Sequence, residues 1–395
     1  MTKVLQIVNR LNLGGITYNA ATITAHLRPE FETMIVAGMK DASEESSEFM
    51  VLKLGLEPIY LPDMHREINL RSDYKAYKHL LKIIREFKPD VVHTHAAKAG
   101  LIGRLAAKRA GVKVIVHTFH GHVFHSYFGK LKTSFFINLE RGLAYISSAI
   151  IAISENQKKE LCETYKISSC EKIHLVELGY DLLPFQENQD VKRAQFREQY
   201  SIQSHQIAIG IIGRLVPIKN LKLFIEAFSI THQKFEEKTK AFIIGDGEQM
   251  AELQIFCKAL ALSISTPENV NLDAPLVFTS WIHEIDVAMN GIDILAISSL
   301  NEGTPASLIE AQAAGKPIVA TNVGGISNIV LEGETALLVE SGDEIAFSNT
   351  LNQLISDEKL RNKMSNLGPS HVLTRFHEKR LCKDISELYA KLLKI

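Results

Sequence analysis

Acidic residues are missing from one long interval of this chain. Between Asp90 and Glu140 there is no Asp or Glu, while seven Lys or Arg and six His fall there. Cysteine is scarce as well. The four present (Cys162, Cys170, Cys257 and Cys382) fall in no CxxC or other metal-ligand spacing. That excludes a disulfide framework and reads as a reduced cytosolic chain. No apolar run approaches the roughly 18–20 residues that span a bilayer. The first eight residues alternate like a strand and lack the apolar core and cleavage site of a signal peptide. A soluble, cytoplasmic protein is expected.

What is present is ordinary in bulk. With 395 residues, 46% hydrophobic and 23% charged, the chain is too apolar for disorder and too long for one core. Two α/β domains fit that length. Lys plus Arg is 44 and Asp plus Glu is 45, so the net charge of −1 argues against a nucleic-acid partner. The balance hides a split. Residues 1–180 hold 24 basic and 18 acidic residues, and the remainder holds 20 and 27.

Short β-branched runs alternate with helical stretches along the whole chain. Residues 4–8, 33–37, 58–61, 91–94, 114–118, 149–153 and 173–176 read as strands of a first unit. Residues 207–212, 241–244, 276–279, 294–297, 317–320 and 336–339 read as strands of a second. The alternation predicts an α/β fold of two Rossmann-like domains facing a cleft, each a parallel sheet covered by helices on both sides. The expected boundaries are 1–183, a polar linker over 184–206, a second domain over 207–370, and a C-terminal segment over 371–395. That last segment carries aliphatic residues at Leu381, Ile385, Leu388 and Leu392. The stretch 263–275 reads as a surface loop.

Chemistry-bearing residues gather after the strands, where such sheets bind ligands. The densest group is Asn301-Glu-Gly-Thr-Pro-Ala-Ser-Leu-Ile-Glu310. Pro305 suits the first turn of a helix, whose free N–H groups favour an anion. Glu302 stands before that helix and Glu310 within it. Carboxylates accept hydrogen bonds from vicinal hydroxyls, so two of them beside an anion-binding helix end suit a sugar nucleotide. Upstream, Gly213 ends a strand and Arg214 and Lys219 follow, a pair of cations suited to a diphosphate. Gly245-Asp-Gly247 lacks the third glycine of a dinucleotide fingerprint and reads first as a tight turn. Gly324-Gly325 allows close backbone approach to a ligand. In the first half, Gly14-Gly15 follows the first strand and leaves backbone N–H groups open to a phosphate or sugar.

The histidines cluster at two strand ends, His93 and His95 on one, then His117, His120, His122 and His125. HxH spacing can hold zinc, but the interval offers no acidic ligand and no DxD, so no metal site is expected. Most of these rings read as hydrogen-bonded at strand ends. His120, beside Gly121, is the one singled out for function.

Together these motifs resemble those of the GT-B glycosyltransferases, and within them the retaining family 4 with its glutamate-x7-glutamate signature, here Glu302 and Glu310. The Gly-Arg214-x4-Lys219 loop, the Gly245-Asp-Gly247 turn, the Gly14-Gly15 loop and the Phe-His120-Gly segment fall in the family's order over nearly the full length. The resemblance implies a nucleotide-sugar donor bound by the second domain and a glycan or lipid-linked acceptor bound mainly by the first. It implies that Arg214 and Lys219 neutralise the diphosphate, Glu310 holds the ribose hydroxyls, and Glu302 holds the transferred sugar beside Gly303, Thr304 and Pro305. His120 would contact the sugar near the reacting carbon. Transfer would retain the anomeric configuration by same-face attack, the leaving phosphate helping to deprotonate the acceptor. No metal and no cofactor would be needed. The C-terminal helix would return to the first domain.

Ser280-Trp281-Ile282 departs from the family, which commonly has Gly before an aromatic or polar residue there. This region lines the base pocket in the family, and a UDP-sugar is favoured over a GDP-sugar. Leu178-Gly179-Tyr180-Asp181 lacks the family's Asn and receives no role. A sugar-nucleotide epimerase of the same fold and a non-catalytic nucleotide-sugar-binding relative are the alternatives. The first would place its acid–base residues elsewhere, and the second would lose Glu302 or Lys219. The implied setting is bacterial surface-polysaccharide or lipid-linked glycan synthesis. The cations Arg104, Lys108, Arg109 and Lys113, with Lys130 and Lys132 beside Phe128, Phe135 and Phe136, suggest an anionic membrane surface as a further partner. The protein would then sit peripherally on the inner face of the cell membrane.

Overall fold

The computed structural model describes residues 1–11, 15–40, 46–65, 67–121 and 130–394. Gly14, His122, His125 and Phe128 lie outside the described residues. The chain divides into two compact units, Met1–Tyr180 with Phe376–Ile395, and Asp181–Arg375.

The first unit is built on β1 (Thr2–Val8), β2 (Phe31–Gly38), β3 (Ile59–Leu61), β4 (Val91–His95), β5 (Val114–Phe119), β6 (Ala149–Ala152) and β7 (Ile173–Leu175). They form one parallel seven-stranded sheet in the order β3-β2-β1-β4-β5-β6-β7. The second unit holds β8 (Ile207–Ile212), β9 (Thr239–Ile244), β10 (Ile264–Ser265), β11 (Leu276–Ser280), β12 (Ile294–Ile297), β13 (Ile318–Thr321) and β14 (Ala336–Val339). Its parallel sheet runs β10-β11-β9-β8-β12-β13-β14. Strands such as β8, with the sequence IAIGII, are nearly continuous apolar runs because helices cover both faces of a parallel sheet. In each sheet the strand order reverses once, between β1 and β4 and between β8 and β12. The loops leaving these strands therefore flank a gap no connection crosses, where ligands of such folds bind.

The last helix, Glu378–Leu393, belongs to the first unit. Leu381, Ile385, Leu388 and Tyr389 pack with Val4, Val91, Val116 and Ile151 on one face of that sheet. Its entry is pinned: Tyr180 N–H donates to the Phe376 carbonyl at 2.8 Å, and Glu378 N–H donates to the Tyr180 carbonyl at 3.0 Å. A Cβ at Gly179 would lie 2.6 Å from Leu381 Cβ, so this glycine, to which the sequence assigned no role, seats the helix.

Three expectations are corrected. The stretch 184–206, read as a polar linker, carries the helix Gln189–Gln199, with Phe196 buried and Arg193 and Arg197 paired to Asp293 at 2.7 and 3.1 Å. Its single apolar anchor in a polar run gave no helical stripe to read. Residues 263–275 are not all loop, since Ile264 and Ser265 add the edge strand β10 beside β11. The cysteines are not all reduced. Cys162 and Cys170 are joined, their Cα atoms 5.2 Å apart, where the turns at Glu160–Thr164 and Cys170–Lys172 fold the chain back. Cys257 and Cys382 are free and buried.

Candidate functional site

The second unit's switch point brings together residues that lie far apart in sequence. After β8, Gly213 adopts φ +152° and the chain turns through Pro217–Lys219 to Asn220, which is left-handed and opens the helix Leu221–Phe235. After β12, residues 298–302 run alongside it. Ser298 Oγ donates to the Lys219 carbonyl at 3.0 Å, and Leu300 N–H donates to the Ile218 carbonyl at 2.8 Å. These bonds hold the two loops in register and aim their side chains at each other.

Lys219 Nζ donates to Glu302 Oε1 at 2.6 Å, and Ser299 Oγ donates to the same oxygen at 2.6 Å. Both donors use one carboxylate oxygen, which leaves Oε2 open. Gly213, Arg214, Lys219, Ser299 and Glu302 line a small pocket floored by Ile211, Ile243 and Ile297. Arg214 is exposed, and its guanidinium makes no hydrogen bond to the described residues. The ion pair is more than a surface contact: the Lys219 side chain is 26% exposed and that of Glu302 10%. At that burial a charge-assisted bond orients its partners firmly.

The glycines around this pocket serve the protein's own backbone. Gly324 has φ +56°, and a Cβ there would lie 1.9 Å from the Glu302 carbonyl oxygen. A Cβ at Gly325 would lie 1.9 Å from that of Gly303. Gly325 N–H donates to the Glu302 carbonyl at 2.9 Å. The close approach expected of a ligand here is thus made by the Glu302–Gly303 loop. The Gly245-Asp-Gly247 turn behaves likewise, since Cβ atoms at Gly245 and Gly247 would meet the carbonyls of Gly213 and Leu215 at 2.0 and 2.5 Å. It clamps the Gly213–Leu215 segment, with Leu215 N–H donating to the Asp246 carbonyl at 2.9 Å.

Glu310 lies on the helix Ala306–Ala313, apart from the pocket that Glu302 lines. Its side chain keeps some solvent contact and finds no hydrogen-bond partner among the described residues. Burial pushes its carboxyl up to about 7. An underserved carboxylate of this kind is suited to hydroxyl donors. Gly303 and Thr304 are accessible at the helix entrance and Pro305 is buried. Ser280 sits at φ +59°, a left-handed position that favours glycine. Its hydroxyl donates to Asp246 Oδ2 at 2.9 Å, and Trp281 and Ile282 follow, both partly exposed.

In the first unit, the strand register sorts the histidines into two faces. Gln6 pairs with His93, and His95 with Thr118, so these four and then His120 share one face. Thr94 and His117 share the other, 2.8 Å apart between Oγ1 and Nδ1. His93, His95 and His117 are buried, and burial is the main cause that holds each ring well below the ordinary histidine range. His93 and His95 each use both ring nitrogens in hydrogen bonds, which leaves no lone pair for a metal. His120 is partly exposed at the end of β5, and Gly15 opens the helix after β1.

Arg104 does not reach the surface. It is fully buried and pairs with Glu140 at 2.7 Å, while its Nε donates to the Gly100 carbonyl at 2.8 Å. Lys113 pairs with Asp90 at 3.1 Å, and Lys108 and Arg109 are exposed. Phe135 is exposed, whereas Phe136 packs against the Phe119–Ile150 cluster. The expected basic, aromatic face is therefore broken up, because one of its charges balances the first acid after the gap.

Sequence reasoning passed over Ser299, Gln6, Thr118 and Tyr389. A glutamine inside the apolar run Val4–Val8 of the first strand and a tyrosine in the buried stripe of the last helix were the available signals.

Comparison with known proteins follows the same division. Residues 13–182 match the model of Glycosyltransferase Family 4, and residues 192–371 match that of Glycosyl transferases group 1. The chain is 29% identical over 332 residues to the Escherichia coli UDP-Gal:alpha-D-GlcNAc-diphosphoundecaprenol alpha-1,3-galactosyltransferase, covering 84% of this chain and 82% of that one. It is 27% identical to the Staphylococcus aureus capsular polysaccharide biosynthesis glycosyltransferase CapM, covering 84% of each. Among solved structures, Anabaena Alr3699/HepE in complex with UDP-glucose superposes with a TM-score of 0.81 at 19% identity, over 99% of this chain and 100% of that one. WaaG, a glycosyltransferase involved in lipopolysaccharide biosynthesis, superposes with a TM-score of 0.74 at 14% identity, over 98% and 99%. With two parallel Rossmann-like sheets, the Glu302 and Glu310 signature and these matches to both halves, the chain belongs to the GT-B glycosyltransferases of family 4 type.

Proposed function

We propose that this enzyme transfers a hexosyl or N-acetylhexosaminyl residue from a UDP-sugar to a hydroxyl of a lipid-linked glycan, in bacterial surface-polysaccharide assembly, with retention of configuration and without a metal ion. The observation that carries the reading is the Lys219–Glu302–Ser299 cluster beside Arg214. It offers two cations for a diphosphate and one open carboxylate oxygen for a sugar hydroxyl. Support for the nucleotide comes from the UDP and UDP-glucose complexes of Alr3699/HepE, and support for the acceptor from the diphosphoundecaprenol-linked substrate of the E. coli relative.

In this reading Glu310 binds the ribose diol, and Ser280, Trp281 and Ile282 border the base. Arg214 and Lys219 hold the diphosphate and stabilise the charge that builds as the glycosidic bond breaks, in place of a divalent ion. Glu302 Oε2 and the backbone of Gly303–Pro305 fix the sugar. The departing phosphate takes the acceptor's proton on the face it leaves, so neither glutamate serves as a nucleophile. His120 accepts from a hydroxyl of the transferred sugar. Lys108 and Arg109 rest against an anionic bilayer that carries the acceptor.

A panel of UDP- and GDP-sugars tests donor choice by thermal shift, since a bound donor raises the melting temperature. Transfer to a GlcNAc-diphospholipid acceptor, followed by UDP release, tests the reaction. The expected product keeps the donor's anomeric configuration, and EDTA leaves the rate unchanged. Stabilisation by GDP-sugars alone, an inverted product or loss of activity in EDTA would each remove the corresponding part. Co-sedimentation indifferent to anionic lipid would remove the membrane contact.

A further inference from the structure

A chain of buried polar side chains runs inward from His120. His120 Nε2 lies 2.9 Å from His95 Nδ1, and His95 Nε2 lies 2.8 Å from Gln6 Oε1. Gln6 Nε2 donates to the Tyr389 hydroxyl at 3.1 Å, which lies 2.6 Å from His93 Nδ1. His93 Nε2 ends the chain 2.7 Å from Thr118 Oγ1. Three strands and the C-terminal helix contribute, and Gln6, His93, His95 and Tyr389 are all fully buried.

With the Gln6 amide oxygen facing His95, hydrogen counting gives this chain one direction. An amide oxygen only accepts, so His95 Nε2 carries the proton that Gln6 Oε1 receives. A neutral His95 then has a bare Nδ1, and the bond between the two rings is a donation from His120 Nε2. Tyr389 accepts from Gln6 and donates to His93, whose Nε2–H donates to Thr118. Every link has one donor and one acceptor. Burial keeps the rings neutral, with His93 and His120 both lowered to about 3. His120 therefore keeps an unprotonated Nδ1 that can act as an acceptor.

We infer that His95 is a positioning residue for His120, and that the chain His95–Gln6–Tyr389–His93 fixes the tautomer and ring orientation with which His120 meets the donor sugar. The C-terminal helix thereby contributes to the site through Tyr389, as well as closing the fold. A merely structural core at this position would be served by apolar side chains, since each buried polar atom costs free energy unless partnered. A fully partnered network instead holds its members in one arrangement. The inference rests on the proposed role of His120 in transfer.

Its first test needs no substrate. In protein with ¹⁵N-labelled histidine, the His120 ring is assigned by its absence in His120→Ala, and the two-bond couplings report its tautomer at pH 7.5. The expected signal is a neutral ring protonated on Nε2, becoming a tautomer mixture in Tyr389→Phe and in His95→Ala. A wild-type ring protonated on Nδ1, or one unaffected by Tyr389→Phe, overturns the inference. The second test is kinetic, with UDP-galactose as donor and a GlcNAc-diphospholipid as acceptor. His95→Ala should lower kcat by about 10- to 100-fold with donor KM changed less than about threefold, as expected for lost orientation of a group that acts at the reacting centre. His95→Asn, whose side-chain oxygen can accept from His120, should recover part of that loss. If His120→Ala is impaired while folded His95→Ala and Tyr389→Phe turn over like wild type, the positioning role is wrong. If His120→Ala itself is unimpaired, it is the proposed role of His120 in transfer that fails.

Discussion

Lys219 and Glu302, 83 residues apart in sequence, meet at 2.6 Å across the loops that leave β8 and β12. The sequence motifs assign them separate tasks, a cation for the diphosphate and a carboxylate for the sugar. The structure makes them one unit. Lys219 and Ser299 both donate to one oxygen of Glu302 and leave the other without a donor from either.

That coupling predicts non-additive kinetics. Glu302→Ala and Lys219→Ala should each lower transfer by about 10²–10³-fold, the usual scale for removing one preorganised electrostatic group. The double variant should lose little more than either single one, because each change already disables the other residue. Steady-state kcat/KM for the four proteins closes the cycle. Losses that multiply would show two independent roles, and a wild-type rate in either folded single variant would remove this site from the reaction.

Gly324 offers a way to move Glu302 without changing its chemistry. A methyl group there meets the Glu302 carbonyl at 1.9 Å and sits on a backbone at φ +56°. Gly324→Ala should cost about 1–3 kcal/mol of stability and lower transfer by more than about tenfold through displacement of the loop. Gly333→Ala is the control, since its φ of +76° carries similar strain but its Cβ meets nothing within 4 Å. It should lose stability and keep its rate. Equal rates in both folded variants would show that the loop tolerates displacement.

These contacts also mark where the sequence could be read and where it could not. Thirteen strands were legible because β-branched runs alternate with helical periods, while two-residue β10 is too short to announce itself. Glu302, Arg214 and Lys219 were legible as chemistry because they follow strand ends. Their pairing was not, since it depends on which strands become neighbours at the switch point. Gly324 was recognised as a place of close approach, but the approaching group proved to be the protein's own loop. Arg104 looked like surface charge because nothing local revealed a partner 36 residues away.

Arg104 should accordingly govern stability and not lipid binding. Arg104→Met leaves Glu140 buried and unpaired, which should cost about 3–5 kcal/mol in urea unfolding. Adding Glu140→Leu removes the stranded charge and should restore most of that loss. Co-sedimentation of the double variant with anionic vesicles should match wild type, because Arg104 has no exposed surface. A double variant as unstable as Arg104→Met, or one with altered vesicle binding, would contradict this assignment.

Glu310 supplies a pH dependence whose sign differs from that of most carboxylates. Burial raises its pKa from an ordinary 4.5 to about 7 in the folded protein. Below 4.5 the group is protonated in both states and has no effect. Between 4.5 and 7 the unfolded chain releases its proton first, so stability falls as pH rises, and above 7 the loss is complete. Glu310→Gln should therefore melt above wild type at pH 8 and converge with it near pH 4.5, both without donor. Ribose hydroxyls donate to the ionised form, so UDP should reverse the order, binding wild type more tightly at pH 8. Between pH 8 and 6 the affinity of wild type should fall further than that of Glu310→Gln, in which only the nucleotide's own phosphate titrates. Calorimetric titration of both proteins across that range separates the two contributions. Identical pH dependence would mean that Glu310 does not hold the ribose, whatever its pKa.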